Sequence, residues 1–305
     1  MDSRKRKNLA ILEALCANII FGASFLFSKL ALEVADTFIL LSVRFIIAFA
    51  LLNLLVLVRV GKISLKGKAV KPLLLIGLIQ PFLYFIGEQY GIKYTSSAFA
   101  GIMIGTIPVV VLAFAAIFLK ELPTKTQVLF AVLSLLGVSA ISLLGGESVV
   151  TVRGVLLLCF AVLVAAVFSI LARKLPKSVT AFERTYVMFA IGAVCFTFVA
   201  LGKFGGGYFG EVARAFASPN FVLALLYLSV VSSIIAFLLF NDALTRITLA
   251  QSTSFANVTT VVSVVAGIVF LKEPFSPLQA AFAGLIIVSV WGVNRFVRKD
   301  AGEMG

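Results

Sequence analysis

The chain has 305 residues, 61% of them hydrophobic and 13% charged, with a mean hydropathy of +1.14. That leaves too little polar surface to cover a water-soluble globule of this length, and the net charge of +13 sits between apolar runs rather than in one basic stripe, which argues against nucleic acid as a partner. There is no histidine and the three cysteines (Cys16, Cys159, Cys195) lie inside apolar runs, so neither a zinc site nor a disulfide framework is written here, and no cofactor or metal is expected.

The apolar runs reach about 18 residues or more, enough to cross a ~30 Å hydrocarbon core as helices and too uniform for barrel strands. Ten spans are predicted in chain order, at 9–32, 37–58, 72–92, 96–119, 126–145, 154–173, 181–202, 220–243, 249–271 and 278–297. The first follows a basic cluster, Arg4 to Lys7, but is too long for a signal-peptide core and reads as an uncleaved span. Arg59, Lys62, Lys66, Lys68 and Lys71 follow the second span, Lys120 and Lys125 the fourth, Arg173, Lys174 and Lys177 the sixth, and Arg295, Arg298 and Lys299 the tenth. With ten crossings all of these share one face with Arg4 to Lys7, while Glu33, Asp36 and Glu147 fall on the other. By the positive-inside rule both termini are cytoplasmic in the cell membrane. The Gly-rich external loop 203–219 is expected to be flexible. Asp242 and Arg246, spaced i, i+4, are expected to pair locally, and Glu13 to sit screened beside the basic amino-terminal cluster.

One stretch is written twice. Residues 94–127 and 246–279 superpose without a gap, setting Ala98 on Ala250, Phe118-Leu119-Lys120-Glu121 on Phe270-Leu271-Lys272-Glu273, and Gln127 on Gln279. The fold class expected is therefore an all-α polytopic membrane protein of two five-helix repeats, residues 1–148 and 149–305. Five spans per repeat is an odd number, so the second repeat enters the bilayer inverted relative to the first. Inverted repeats are an architecture of secondary transporters, with the substrate site near the midplane where the halves meet.

Few residues inside the spans are polar enough for chemistry. Glu88 lies ~24 Å along the third span and Arg44 ~10 Å into the second, by the helical rise per residue. Both fall in the outer half of the membrane, where an ionised group must be paired, neutral or wet. They are candidates for a fixed ion pair, or Glu88 for proton coupling or for binding a substrate amine. Asn18, Phe21 and Phe25 make one helical stripe, with Gly22 and Ser24 allowing close approach, and Ser24 and Ser169 occupy similar positions in the two halves. Tyr84 and Gln89 on the third span, Ser232 and Ser233 on the eighth, and Asn257 on the ninth complete the candidate substrate lining. Ser252, Ser254, Thr259 and Thr260 are expected to bond their own backbone. Pro108 frees a carbonyl near the bilayer centre, with Gly101 and Gly105 before it, a candidate hinge.

These motifs resemble the drug/metabolite transporter superfamily of the EamA type. The resemblance rests on Asn18 through Phe25 in the first span, Arg44-Phe45 in the second, the block from Tyr94 through Pro108 to Glu121, and, in the second half, Ala165 to Ser169, Ser232 to Phe237 and Phe270 to Glu273. Phe21 stands where many members carry Trp, and Thr260 where the second-half block usually carries Pro. The resemblance implies ten helices and export of amino acids, nucleosides, other metabolites or dyes.

The functional expectation is a secondary transporter, an exporter of small organic metabolites or drugs working by alternating access, with proton coupling and uniport both open. Its partners are a small-molecule substrate and the lipid bilayer. An enzyme is not expected, since no nucleophile–base pair or metal set is visible, and the Gly205-Gly206-Gly207 stretch lacks the Lys-Ser/Thr that follows in a P-loop. A channel-like pore and an intramembrane lipid-modifying enzyme stand as the alternatives.

Overall fold

The computed structural model describes residues 3–65, 70–118, 122–144, 150–176, 178–243, 246 and 255–296, and among these every regular element is helical. In order they are α1 (Ser3–Val34), α2 (Thr37–Leu57), α3 (Val70–Gly77), a π-helical stretch (Leu78–Leu83), α4 (Tyr84–Lys93), α5 (Ser97–Ile104), α6 (Ile107–Phe118), α7 (Lys125–Leu144) and α8 (Val152–Arg173). There follow α9 (Ala181–Phe204), a 3-10 turn (Gly205–Gly207), α10 (Tyr208–Phe216), α11 (Pro219–Leu226), a second π-helical stretch (Tyr227–Ala236), α12 (Phe237–Ala243), α13 (Ala256–Phe270) and α14 (Pro277–Arg295).

Seven described helical segments are long and apolar enough to cross a membrane: Asn8–Val34, Thr37–Leu57, Val70–Lys93, Ser97–Phe118, Val152–Ala172, Ala181–Phe216 and Pro219–Ala243. Lys125–Ile141, Asn257–Phe270 and Pro277–Val293 are apolar but shorter. Large side chains such as Leu54, Leu143, Val194, Phe198 and Leu223 stand exposed on the outer helix faces, a surface that suits hydrocarbon and not water. The chain is a multi-pass membrane protein.

Helix starts are set by the sequence. Asp36, Ser96, Thr151, Thr180, Ser218 and Ser276 each accept an amide of the first turn, and Thr180 with Glu183 and Ser276 with Gln279 form complete capping boxes. The stretch 203–219 departs from its expected flexibility. After the Gly205–Gly207 turn it folds as α10, buries Tyr208 and Ala215, and places the Tyr208 hydroxyl 3.1 Å from Ser42 Oγ. Lys203 holds the same corner by an ion pair with Asp36 at 2.7 Å. Arg246 pairs with Asp242 as expected, and also with Glu13 at 3.1 Å. Glu13 is therefore half-buried and tied to the end of α12, rather than screened beside the amino terminus.

Several helix pairs join the first part of the chain to the second, and three of them run antiparallel as follows. Along α2 and α9 the contacts descend from Phe45 with Phe196 and Phe189 to Asn53 with Tyr186 and Gly61 with Phe182. Counted from their N-caps, Asp36 and Thr180, Phe45 and Phe189 hold the same position, and their rings meet edge to face at 5.3 Å. Along α7 and α14, Gln127 Nε2 donates to the Val293 carbonyl at 3.0 Å, and Gly137 lies under Ile286. Along α5 and α13, Gly101 lies against Ser263 and Gly105 against Thr260, while Thr260 Oγ1 donates to the Gly101 carbonyl at 3.3 Å. Gly101 and Gly105 form a GxxxG pair, which lets the two backbones approach closely.

The end of α13 is shaped by an unusual residue. Lys272 adopts φ 53, the left-handed conformation that terminates many helices, and the Glu273 amide bonds back to the Gly267 carbonyl at 3.1 Å. This turn delivers the Glu273 carboxylate to the start of α5, where it accepts the Ser97 amide at 2.6 Å and the Ala98 amide at 2.9 Å. Close by, Lys29 Nζ donates to the Ile92 and Thr95 carbonyls at the end of α4. Charged groups thus satisfy both helix ends at this corner.

A Cβ added at Gly101 would overlap the Ser263 side chain. Gly101→Ala is therefore expected to destabilise the bundle by about 2 kcal/mol. Ser263→Gly in the same chain should restore most of the loss, because it removes the group that the new methyl meets. Thermal unfolding of the purified single and double variants in detergent measures both effects.

Candidate functional site

A cavity of about 470 Å³ lies between the two parts of the chain, walled by α1, α2, α4, α5, α6, α8, α9, α12 and α13 and by both π-helical stretches. Its wall is mainly apolar, with its charged groups in two clusters. The backbone is irregular where it borders the cavity. Gln80 leaves helical geometry at φ −135, ψ 116, α5 stops at Ile104 and resumes as α6 at Ile107, and Ser232 lies in the second π-helical stretch. At the break between α5 and α6, Thr106 bonds the Met103 carbonyl through its amide and its hydroxyl. Pro108 then sits in the first turn of α6, where its missing N–H matters least.

The first polar cluster centres on Glu88, which is 8% exposed, and Arg44, 2% exposed. The Glu88 carboxylate accepts the Tyr84 hydroxyl at 2.8 Å and Gln89 Nε2 at 2.9 Å. Arg44 Nε donates to Ser233 Oγ at 3.1 Å, and its guanidinium lies 4.6 Å from the Phe85 ring centroid. Among the described contacts no direct ion pair joins Arg44 to Glu88. Both border one cavity, each held by neutral partners.

The second cluster was not read from the sequence. Arg184, in the first turn of α9, donates through Nη2 to Asn241 Oδ1, and Asn241 Nδ2 donates to Thr185 Oγ1 at 2.8 Å. Arg184 and Asn241 both line the cavity. A weak signal existed, since the register that sets Tyr94 on Arg246 also sets Gln80 on Ser232 and Gln89 on Asn241. That places polar residues in matching positions of the third and eighth spans.

Of the substrate-lining candidates, Asn18, Phe21, Ser24, Tyr84, Ser169 and Ser232 border the cavity, as do Glu88, Arg44, Gly105 and Pro108. Ser24 and Ser169 donate to carbonyls of their own helices, Phe21 O and Ala165 O, so only their lone pairs face inward. Gln89 stands behind Glu88, bonded also to Ser28 at 3.2 Å, and Ser233 stands behind Arg44. Gly101 lies under α13, outside the lining. Asn257 turns to α14, donating to the Ile287 carbonyl at 3.2 Å, and its neighbour Thr259 takes the place at the wall. Thr259 and Thr260 bond across helices, Thr259 to Asn18 at 3.0 Å and Thr260 to the Gly101 carbonyl. Ser252 and Ser254 lie outside the described residues. Phe168, Phe237 and Phe240, unassigned from the sequence, supply much of the apolar wall.

Comparison with known proteins agrees with this architecture. A 38% identical protein of Bacillus subtilis (strain 168), the uncharacterized transporter YcxC, aligns over 97% of this chain and 96% of its own length. A probable terminal-alkyne amino-acid exporter of Streptantibioticus cattleyicolor is 27% identical over 73% of each chain. One crystal structure, 19% identical in sequence, superposes with a TM-score of 0.61 across 95% of this chain and 98% of the other, a likeness of fold. A sequence model of the EamA-like transporter family matches residues 8–143 and again residues 152–295, and the chain belongs to that family.

Proposed function

We propose that the protein is a secondary transporter, an exporter of small organic metabolites, which alternates access to the cavity between two inverted five-helix repeats, residues 1–148 and 149–305. The observation that carries this reading is the cavity itself, mainly apolar with charged groups at two points, bordered by interrupted helices. In membranes, irregular backbone is tolerated where it is covered by protein or lines a wet chamber, and broken helices are a hallmark of carrier binding sites. The duplicated family match and the three antiparallel pairs between equivalent helices support inversion. Seven long and three shorter apolar helices are consistent with ten crossings. The relative named a probable amino-acid exporter supports export and an organic substrate. With the positive loops inside, both termini are cytoplasmic.

In this reading Asn18, Phe21, Ser24, Tyr84, Ser169 and Ser232 contact the substrate, Gln89 and Ser233 orient Glu88 and Arg44, and the break at Gly105 flexes. Glu88 carries the coupling proton.

Two experiments test the proposal. In a cysteine-free background, Lys120→Cys and Lys272→Cys should react with a membrane-impermeant maleimide from opposite faces of the membrane; labelling from one common face overturns the inversion. In proteoliposomes, Glu88→Gln should lower uptake driven by a pH gradient by about tenfold, ~1.4 kcal/mol, while counterflow at equal pH persists. Unchanged gradient-driven uptake removes the proton role from Glu88.

A further inference from the structure

We infer that the cavity binds solutes through a carboxylate, and that Arg184 is its anchor. This rests on the carrier reading above and names the substrate class for it.

Among the described residues three charged side chains border the cavity: Arg44, Glu88 and Arg184. Arg44 and Glu88 carry opposite formal charges, so an ionised Glu88 offsets one of the two guanidinium groups. Arg184 has no such partner. Among the described residues no carboxylate pairs with it, and its buried Nε has no acceptor. The adjacent carboxylate, Glu183, is committed elsewhere, accepting the Thr180 amide at 2.9 Å and the Ser64 amide at 2.8 Å. Whatever the protonation state of Glu88, the described residues leave one guanidinium of the cavity without a counter-charge.

A guanidinium in an apolar wall is costly unless a counter-charge arrives. Its planar fork of donors fits a carboxylate in two parallel bonds. Asn241 uses one Nη2 proton and is itself fixed by Thr185, so the guanidinium is oriented with Nε unspent. Beyond it the wall is apolar. Met188 lies one turn along the same helix, and Phe21, Phe237 and Phe240 form an edge-to-face cluster. The complementary solute is an amphiphilic organic acid of cavity size, with its carboxylate on Arg184 and an apolar body against the aromatic rings. Strongly polyanionic solutes do not fit, because the described wall offers two guanidinium groups and no other cation.

The test is solute counterflow in proteoliposomes, with a labelled panel of apolar amino acids and other monocarboxylic acids, nucleosides and cationic dyes. Saturable counterflow is expected for carboxylates. Unlabelled free acids should compete at least about tenfold better than their carboxamides, the scale of a hydrogen bond to a charged group. Arg184→Lys, which keeps the charge, should keep the preference, and Arg184→Gln should abolish it. Thermal unfolding of both variants in detergent establishes that they fold, and if Arg184→Gln does not, the comparison of acid with carboxamide on the unaltered protein decides. Equal competition by acid and carboxamide, or an undiminished preference in folded Arg184→Gln, overturns the assignment. Counterflow confined to nucleosides or dyes overturns it while leaving the carrier intact. Saturable counterflow of no solute at all removes the carrier reading, and this one with it.

Discussion

Hydrocarbon cannot hydrogen-bond, and that constraint organises this molecule. Every amide and carbonyl in a span must find a partner inside the protein, so uninterrupted helix is the default. The places where helix fails are informative for that reason. Gln80, the turn between Ile104 and Ile107, and the π-helical stretch through Ser232 all border one cavity. Where the backbone loosens, the wall has protein or a polar chamber beside it rather than lipid.

The same constraint explains what holds the halves together. In lipid, burying leucine against leucine yields little, so close packing and polar bonds must join helices. Gly101 and Gly105 bring α5 onto α13, and Gly22 brings α1 under Val262 and Thr259 of α13. Polar groups then bond across these near contacts, Thr259 to Asn18 and Thr260 to the Gly101 carbonyl. The charged residues of the cavity are held by the same means, Glu88 by Tyr84 and Gln89, Arg44 by Ser233.

Much of the fold was legible because hydropathy and capping are local properties. The helices of the described spans begin and end close to the predicted residues, and Thr180, Ser218 and Ser276 announce their starts. What was not legible depends on neighbours. Asn257 and Thr259 stand two residues apart on one helix, and nothing in a single strand of sequence says which of them faces the cavity and which faces α14. Arg184 reads as an ordinary cation at the end of a span until Asn241 is seen beside it. The stretch 203–219 reads as a loop because of its glycines, yet Tyr208 finds Ser42 from another part of the chain and fixes α10. Extended back from Tyr94, the register of the repeat sets Gln89 on Asn241, a hint that gains meaning only with both side chains in position.

The corner built by Glu273 has a mechanical corollary. A seam closed by interlocked leucines would have to wet them in order to part. Here the seam is a carboxylate seated on two amide protons of α5, with the Lys29 ammonium spanning the adjacent carbonyls. Water offers substitutes for every one of those bonds. Such a clasp can be firm while dry and undone by hydration, so that its release depends on solvent reaching the corner and not on tearing apart a greasy core.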